Sequence, residues 1–431
     1  MKKNIVDMEY ISEQLTDSIK KIRICDESID KDKEKDRLLS YYQKKYSKLS
    51  FDQFKYDFID LFCGAGGLSV GLEQAGFKPI IAVDKDFSAL KTYRFNRPWM
   101  DENSLIHDDI RKIVGERVFP HVPLIVGGPP CQGFSVANKQ RKEHDERNEL
   151  YKFYVHAVEQ SNPEIFLMEN VEGILKLYED IKADFEKIDY LVCEPLLLSP
   201  KEFGFPQSRR RAFILGISKR HKSKAEELYS VFKNRIEQEK TTKTFTLWDA
   251  IGDLPILEAK TMKNATNMES QRWGYTIGGF KENKTKYSKL LNSGAKTPVL
   301  NHRTKYNNDR DIQIFETLKP GEKSDAESIQ DINPYKRRAD IFRDKFDKLQ
   351  ADEPCKAITA HMYYDCNMYI HPSQARGLTP REAARVQGFP DDYYFLGTPN
   401  EWYRQIGNAV SPLMARLLGE ALQEVLKRID S

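Results

Sequence analysis

No stretch of this 431-residue chain approaches the ~20 consecutive apolar residues that a membrane-spanning helix requires. No apolar segment follows Lys2 and Lys3 either, so the sequence predicts a chain that is neither anchored nor exported. The six cysteines (Cys25, Cys63, Cys131, Cys193, Cys355, Cys366) contain no C-x-x-C pair, which argues against a disulfide framework and a zinc site. That usage suits a reducing cytoplasm, and no metal is expected. A strong charge of either sign is missing as well: 68 Lys and Arg against 65 Asp and Glu leave a net +3, which does not by itself call for nucleic acid. What is present, 40% hydrophobic and 31% charged residues, fits a globular protein of two or three domains.

Residues 1–55 read as a charged helical extension. Ile11, Leu15, Ile19 and Ile22 recur at helical spacing, as do Leu38, Tyr42, Tyr46 and Leu49, giving two amphipathic helices joined by the charge run Asp30 to Arg37. From Tyr56 onward, strands alternate with helices. Phe58 to Phe62 reads as a strand, a helix with Leu68, Leu72 and Ala75 on one face follows, and Ile80 to Val83 forms the next strand, ending at Asp84. This is a βαβ unit with a glycine turn at its first crossover, the start of a Rossmann-like α/β domain.

That turn, Cys63-Gly64-Ala65-Gly66-Gly67, lacks one element of a dinucleotide-binding loop, since Ser69 stands where the third glycine of G-x-G-x-x-G belongs. A ligand with adenosine and no phosphates, such as S-adenosylmethionine, tolerates the change. Asp84, 20 residues after Gly64, is placed to take ribose hydroxyls. Asp109 suits an adenine amino group, or equally a helix N-cap before Ile110 and Arg111.

The most telling segment is Gly127-Gly128-Pro129-Pro130-Cys131-Gln132-Gly133-Phe134-Ser135, directly after the apolar run Leu124-Ile125-Val126. A cysteine can be a small core hydrophobe. These flanking prolines and glycines break regular structure without adding core, and they present Cys131 at a sheet edge where ligands bind in open α/β folds. Further on, Ile165 to Met168 reads as a strand ending in Glu169-Asn170-Val171. A carboxyl there, among apolar neighbours, has a raised pKa suited to holding a proton; capping a helix is the alternative. Strand alternation then sends Arg209 and Arg211 to one face and Arg210 to the other, just before the strand Ala212 to Gly216.

The blocks Asp60-Leu-Phe-Cys-Gly-Ala-Gly-Gly, Gly128-Pro-Pro-Cys-Gln-Gly-Phe-Ser, Glu169-Asn-Val, Gln207-x-Arg-x-Arg, Arg381-Glu-Ala-Ala-Arg-Val-Gln-Gly-Phe-Pro and Gln405-Ile-Gly-Asn-Ala-Val, in this order, resemble the C5-cytosine DNA methyltransferases. The resemblance runs from Tyr56 to Arg428 apart from a variable stretch. It implies that Cys131 adds to C6 of cytosine, that Glu169 engages N3, that Arg211 contacts O2, and that Arg209 steadies Glu169 or the backbone. Phe62 would stack near adenine, Gly64 and Gly66 pass the methionine end, and Asp84, Asp109 and Asn408 complete the S-adenosylmethionine pocket.

The domains expected are a helical extension (1–55), a catalytic and cofactor domain (56–219), a DNA target-recognition domain (220–345) and a C-terminal part (346–431) whose helix returns beside the first strand. Val410, Leu413, Leu417, Ala421 and Val425 give that helix its apolar stripe. The recognition stretch holds Trp273, Tyr275, a glycine-rich turn at Thr276-Ile277-Gly278-Gly279-Phe280, and eight Lys or Arg from Lys281 to Arg310 against Glu282 and Asp309. Such a run is either a solvated face or a surface that tracks phosphates. Thr379, Pro380 and Glu382 spell a capping box with a structural role.

The partners expected are duplex DNA and a cognate restriction endonuclease, for a cytoplasmic, nucleoid-associated monomer. The rival readings are a tRNA cytosine methyltransferase of the same fold and a catalytically silent DNA-binding module.

Overall fold

The computed structural model describes residues 6–26, 29–130, 149–336 and 345–431. Its centre is an α/β sheet of eight strands: β1 (Tyr56–Leu61), β2 (Phe77–Asp84), β3 (Leu105–His107), β4 (Leu124–Gly127), β5 (Ile165–Asn170), β6 (Tyr190–Val192), β7 (Leu196–Leu198) and β8 (Arg211–Ser218). The spatial order is β3-β2-β1-β4-β5-β8-β6, with β7 also on β8. The pairs from β3 to β5 are parallel, and β8 runs antiparallel to β5, β6 and β7. Parallel strands buried on both faces need continuous apolar runs, and Leu124, Ile125 and Val126 are fully buried. The Rossmann-like class expected from the sequence is therefore the class observed.

Strand order reverses between β1 and β4. That switch point is where an open α/β sheet leaves a crevice at its carboxyl edge. The glycine turn after β1 and the proline turn after β4 both open into it.

The C-terminal helix, Pro412–Asp430, returns as expected. It lies on the helix Gly67–Gln74 so closely that a Cβ on Gly71 would sit 2.3 Å from the backbone of Pro412 and Arg416. Gln423 Nε2 donates to the Ala75 carbonyl at 2.9 Å. Leu413, Ala421 and Val425 of the stripe are buried and Val410 and Leu417 partly so. Burial extends to Met414, Leu418 and Leu422 because a second helix, Ala225–Gln238, shares a core with this one through Leu228, Phe232 and Ile236.

Beyond it stands an antiparallel hairpin, β9 (Gly274–Lys281) with β10 (Thr297–Arg303). The expected glycine-rich turn at 276–280 is instead part of β9. A register irregularity lies between Ile277 and Phe280, and Gly278 approaches so near that a Cβ would meet the Val299 carbonyl at 2.6 Å. Glycine here serves a bulge, not a reversal of the chain.

The extension forms two helices, Met8–Lys20 and Lys31–Tyr46. The charge run does not join them: Asp30 caps the second helix, accepting from the amides of Asp32 and Lys33, and Lys31 to Arg37 build its first turns. Glu34 pairs with Arg37 one turn on at 2.6 Å, so the run is helix surface. Among the described residues no helix is long and apolar enough to cross a membrane.

Candidate active site

At the switch point β1 ends and the chain turns sharply, with Phe62 at φ +59°, Gly64 at +53° and Gly66 at +85°. A Cβ on Gly64 would have nothing within 4 Å, so the turn borders open space. The Asp84 carboxylate, at the end of β2, accepts the Gly64 amide at 2.7 Å through one oxygen and the Asp86 amide at 2.8 Å through the other. Burial raises its pKa while these amides lower it. Asp84 thus holds the turn and the next helix start together.

Ser69, the residue in place of the third glycine, is fully buried. Its hydroxyl donates to Asp60 at 2.5 Å and lies 2.7 Å from the Tyr93 hydroxyl. Burial pushes the Asp60 carboxyl up to about 7. In the sequence Asp60 stands out only as the head of the Asp-Leu-Phe-Cys-Gly block, Ser69 only as the missing glycine, and Tyr93 carries no signal. Gly66 is walled by Arg97, which donates to its carbonyl at 3.2 Å and forms an ion pair with Glu73 at 2.8 Å.

Asp109 caps the helix Ile110–Glu116 through the Arg111 amide at 3.0 Å, and its carboxylate also holds the Arg111 guanidinium at 2.7 Å. These bonds hold its pKa below the usual range. The N-cap alternative is therefore present in the structure. Asn408, exposed, ends the helix Pro399–Asn408.

On the other side of the switch, β5 carries Glu169 and β8 opens with Arg211. Arg211 Nε lies 3.1 Å from Glu169 Oε1, with both side chains mostly buried. Burial raises the Glu169 carboxyl, and Arg211 and then Arg209 oppose that rise. Arg209 is buried and Arg210 is exposed, 3.5 Å from Glu172, although both lie in the gap between two strands and not in a strand as the sequence suggested. Arg209 donates through Nη1 to the Ile358 carbonyl, which links the site to the C-terminal part.

Cys131 lies outside the described residues, but the turn that leads to it does not. Asn170 Nδ2 donates to the Pro129 carbonyl at 2.8 Å, and a Cβ on Gly128 would meet Glu169 Oε2 at 2.9 Å. Glu169 therefore stands directly against the turn at Gly128, where a Cβ would press on its carboxylate. Asn170 was legible only as part of the Glu-Asn-Val block.

The basic run divides. Lys281 pairs with Asp253 at 2.8 Å, Arg303 with the buried Glu269 at 2.7 Å, and Lys305 donates to the Tyr363 carbonyl at 3.0 Å. Lys284, Lys286, Lys289, Lys296 and Arg310 are exposed. The capping box at Thr379 is formed, with Arg376 bidentate on Glu382 at 2.8 and 2.7 Å.

A family model described as C-5 cytosine-specific DNA methylase matches residues 56–424. The type II methyltransferase M.DdeI of Desulfomicrobium norvegicum is 32% identical over 86% of this chain and 89% of its own. M.AgeI of Thalassovita gelatinovora, also a type II methyltransferase, is 31% identical over 85% of this chain and 98% of its own. Among solved structures, a protein described as a DNA modification methyltransferase encoded within an E. coli prophage superposes with a TM-score of 0.64 at 26% identity, covering 86% of this chain and 100% of that one.

Proposed function

This chain belongs to the C-5 cytosine-specific DNA methylase family and is a DNA cytosine-5-methyltransferase, and from that premise we propose that it methylates a cytosine flipped out of one specific duplex sequence, with Cys131 as nucleophile. Carbon 5 of cytosine is not nucleophilic. The Cys131 thiolate therefore adds to C6, forming the S–C6 bond and driving the ring electrons toward C5. Glu169 holds a proton at N3, which neutralises the charge that would otherwise gather there, and Arg211 takes the O2 edge.

S-adenosylmethionine, when bound, supplies an electrophilic methyl group. The open space at Gly64 fits such a ligand, with Phe62, Gly66, Asp84, Asp109 and Asn408 the residues that would hold it. Transfer of that methyl to C5 would leave S-adenosylhomocysteine, and loss of the C5 proton to water would then return its electron pair to re-form C5=C6, break the S–C6 bond and free the Cys131 thiolate.

The single observation that carries this reading is the buried Glu169–Arg211 pair held against Gly128. A carboxyl with a raised pKa and a paired guanidinium, facing the turn that leads into a cysteine, suits the N3 and O2 edge of a pyrimidine. Inside a duplex that edge is paired, so the base must leave the stack, and the stretch 220–345, apart from the helix Ala225–Gln238 that packs into the core of the central sheet, is the part we assign to holding the opened DNA. Its relatives are named type II methyltransferases, which supports reading it as a modification enzyme; the proposal adds a cognate endonuclease and a monomer acting on DNA in the cytoplasm.

Bisulfite sequencing of plasmid incubated with the protein and S-adenosylmethionine tests it. Protected cytosines at one recurring sequence are expected. Methylation retained by Cys131→Ala would overturn the mechanism.

A further inference from the structure

The family match begins at residue 56, so the first 55 residues need a separate account. They touch both halves of the molecule. On the catalytic side, the Asp7 amide donates to the Pro98 carbonyl at 2.8 Å, Arg94 pairs with Asp7 at 3.2 Å, and the Arg94 guanidinium lies 3.8 Å above the Tyr10 ring. The second helix adds Tyr42, whose ring meets Phe95 edge-on at 5.2 Å and whose hydroxyl donates to the Asp392 carbonyl at 2.9 Å. Lys45 and Tyr41 bind the Asp392 carboxylate at 2.6 and 2.8 Å.

The same segment reaches the hairpin. Arg23 and Ile24 pair as a parallel strand with Met268 and Glu269, and the Cys25 amide donates to the Glu269 carbonyl at 2.8 Å. Asp26 accepts from the Gln271 amide and from the Tyr275 hydroxyl at the start of β9. At the other end of β9, Phe280 stacks under the Arg37 guanidinium at 4.7 Å and beside Tyr41 at 5.4 Å. Ile277 and Leu300, from the facing strands, are buried in one cluster with Ile11, Leu15, Leu38, Tyr42 and Phe95.

Glu269 in turn holds Arg303 and the Thr276 hydroxyl, so the short strand Arg23–Ile24 pins the residue that organises the hairpin.

We propose that the N-terminal segment is a clasp on β9 that, together with the bonds from Arg381 and Asn301 that tie β10 to the C-terminal part, holds the hairpin's orientation to the catalytic sheet and thereby positions it for duplex DNA. The inference rests on the proposed reaction. A hairpin that samples several orientations engages DNA only in the fraction correctly placed, and its apparent affinity falls by that fraction. The clasp leaves the cofactor turn untouched, so the effect is confined to DNA.

The test is the double variant Asp26→Ala/Arg37→Ala in the full chain, which removes one side-chain tie at each end of β9, leaves the Arg23–Ile24 strand pairing in place and touches no residue of the site. KM for duplex DNA is expected to rise about tenfold, with kcat at saturating DNA and S-adenosylmethionine affinity within about twofold of the parent. Amide exchange in Gly274–Lys281 quickens, and Arg37→Lys, which keeps the cation over Phe280, recovers part of the loss when paired with the native Asp26.

A variant whose KM for DNA stays at the parent's value while its Tm falls makes the segment a stabilising strut only and overturns the inference. So does a parallel loss of cofactor affinity. Failure of the parent itself to methylate any duplex sinks the functional reading, and the inference with it; a parent that methylates beside an unchanged variant sinks the inference alone.

Discussion

The Asn170 side-chain amide donates to the Pro129 carbonyl over 2.8 Å, tying the end of β5 to the turn that runs into Cys131. The bond fixes the height of the turn against the carboxyl of the neighbouring residue, Glu169. Misplacing a nucleophile by ~1 Å costs on the order of 10²-fold. Asn170→Ala is therefore expected to lower kcat by about 10²-fold while calorimetric binding of S-adenosylmethionine is unchanged. Equal loss in both would show that the bond supports the whole domain, not the turn.

Glu169 is expected to work protonated, and burial raises its carboxyl. Activity should therefore be full below that raised pKa and decline as pH climbs through it. The Arg211 guanidinium favours the ionised form, so Arg211→Ala moves the decline to higher pH while cutting kcat by about 10²-fold. The pH profile of single-turnover methylation reads both effects. An alkaline limb that stays put would show that another group controls it.

Asp60 gives a stability prediction with a definite sign. Its folded pKa of about 7 stands above the ordinary 3.8, so the folded protein binds the extra proton. That stabilisation is complete below the ordinary value, is lost as pH rises toward 7, and changes no further above it. Asp60→Asn mimics the neutral form and keeps an acceptor for Ser69. Its Tm should exceed the parent's at pH 8, with the gain shrinking steadily as pH falls below 7, in a calorimetric series.

Two glycines separate ligand room from packing. A Cβ on Gly64 meets no atom, so Gly64→Ala should fold, losing about 1 kcal/mol to its positive φ, and should bind S-adenosylmethionine more weakly by equilibrium dialysis. A Cβ on Gly71 meets backbone at 2.3 Å. Gly71→Ala should separate the C-terminal helix and depress Tm sharply. Unweakened cofactor binding in Gly64→Ala would place the ligand elsewhere.

Much of the site was readable along the chain because its signals are short-range. Apolar runs marked β1, β4 and β5, with glycine and proline closing the run at β4, and Arg210 reads apart from Arg209 and Arg211 as the exposed member of the three. Capping chemistry is equally local, so the box at Thr379 was read correctly. Local cues also misled: Gly278 and Gly279 suggested a turn where two strands bulge, and the charge run from Asp30 suggested a linker where an N-cap starts a helix.

The sequence by itself determined the α/β alternation and the turns after β1 and β4 at the carboxyl edge of the sheet, and it proposed the reactive groups, because periodicity and turn chemistry act over a few residues. Only the tertiary structure decided who meets whom. Ser69 could pass for a lost glycine until it reached Asp60 and Tyr93, and eight cations looked alike until packing buried Arg303 on Glu269 and left Lys289 in water. Tyr41 and Asp392 are 351 residues apart in the chain and 2.8 Å apart in space. Such pairs are selected by the cost of burying a charge or hydroxyl without a partner, and that cost exists only once distant segments have excluded water.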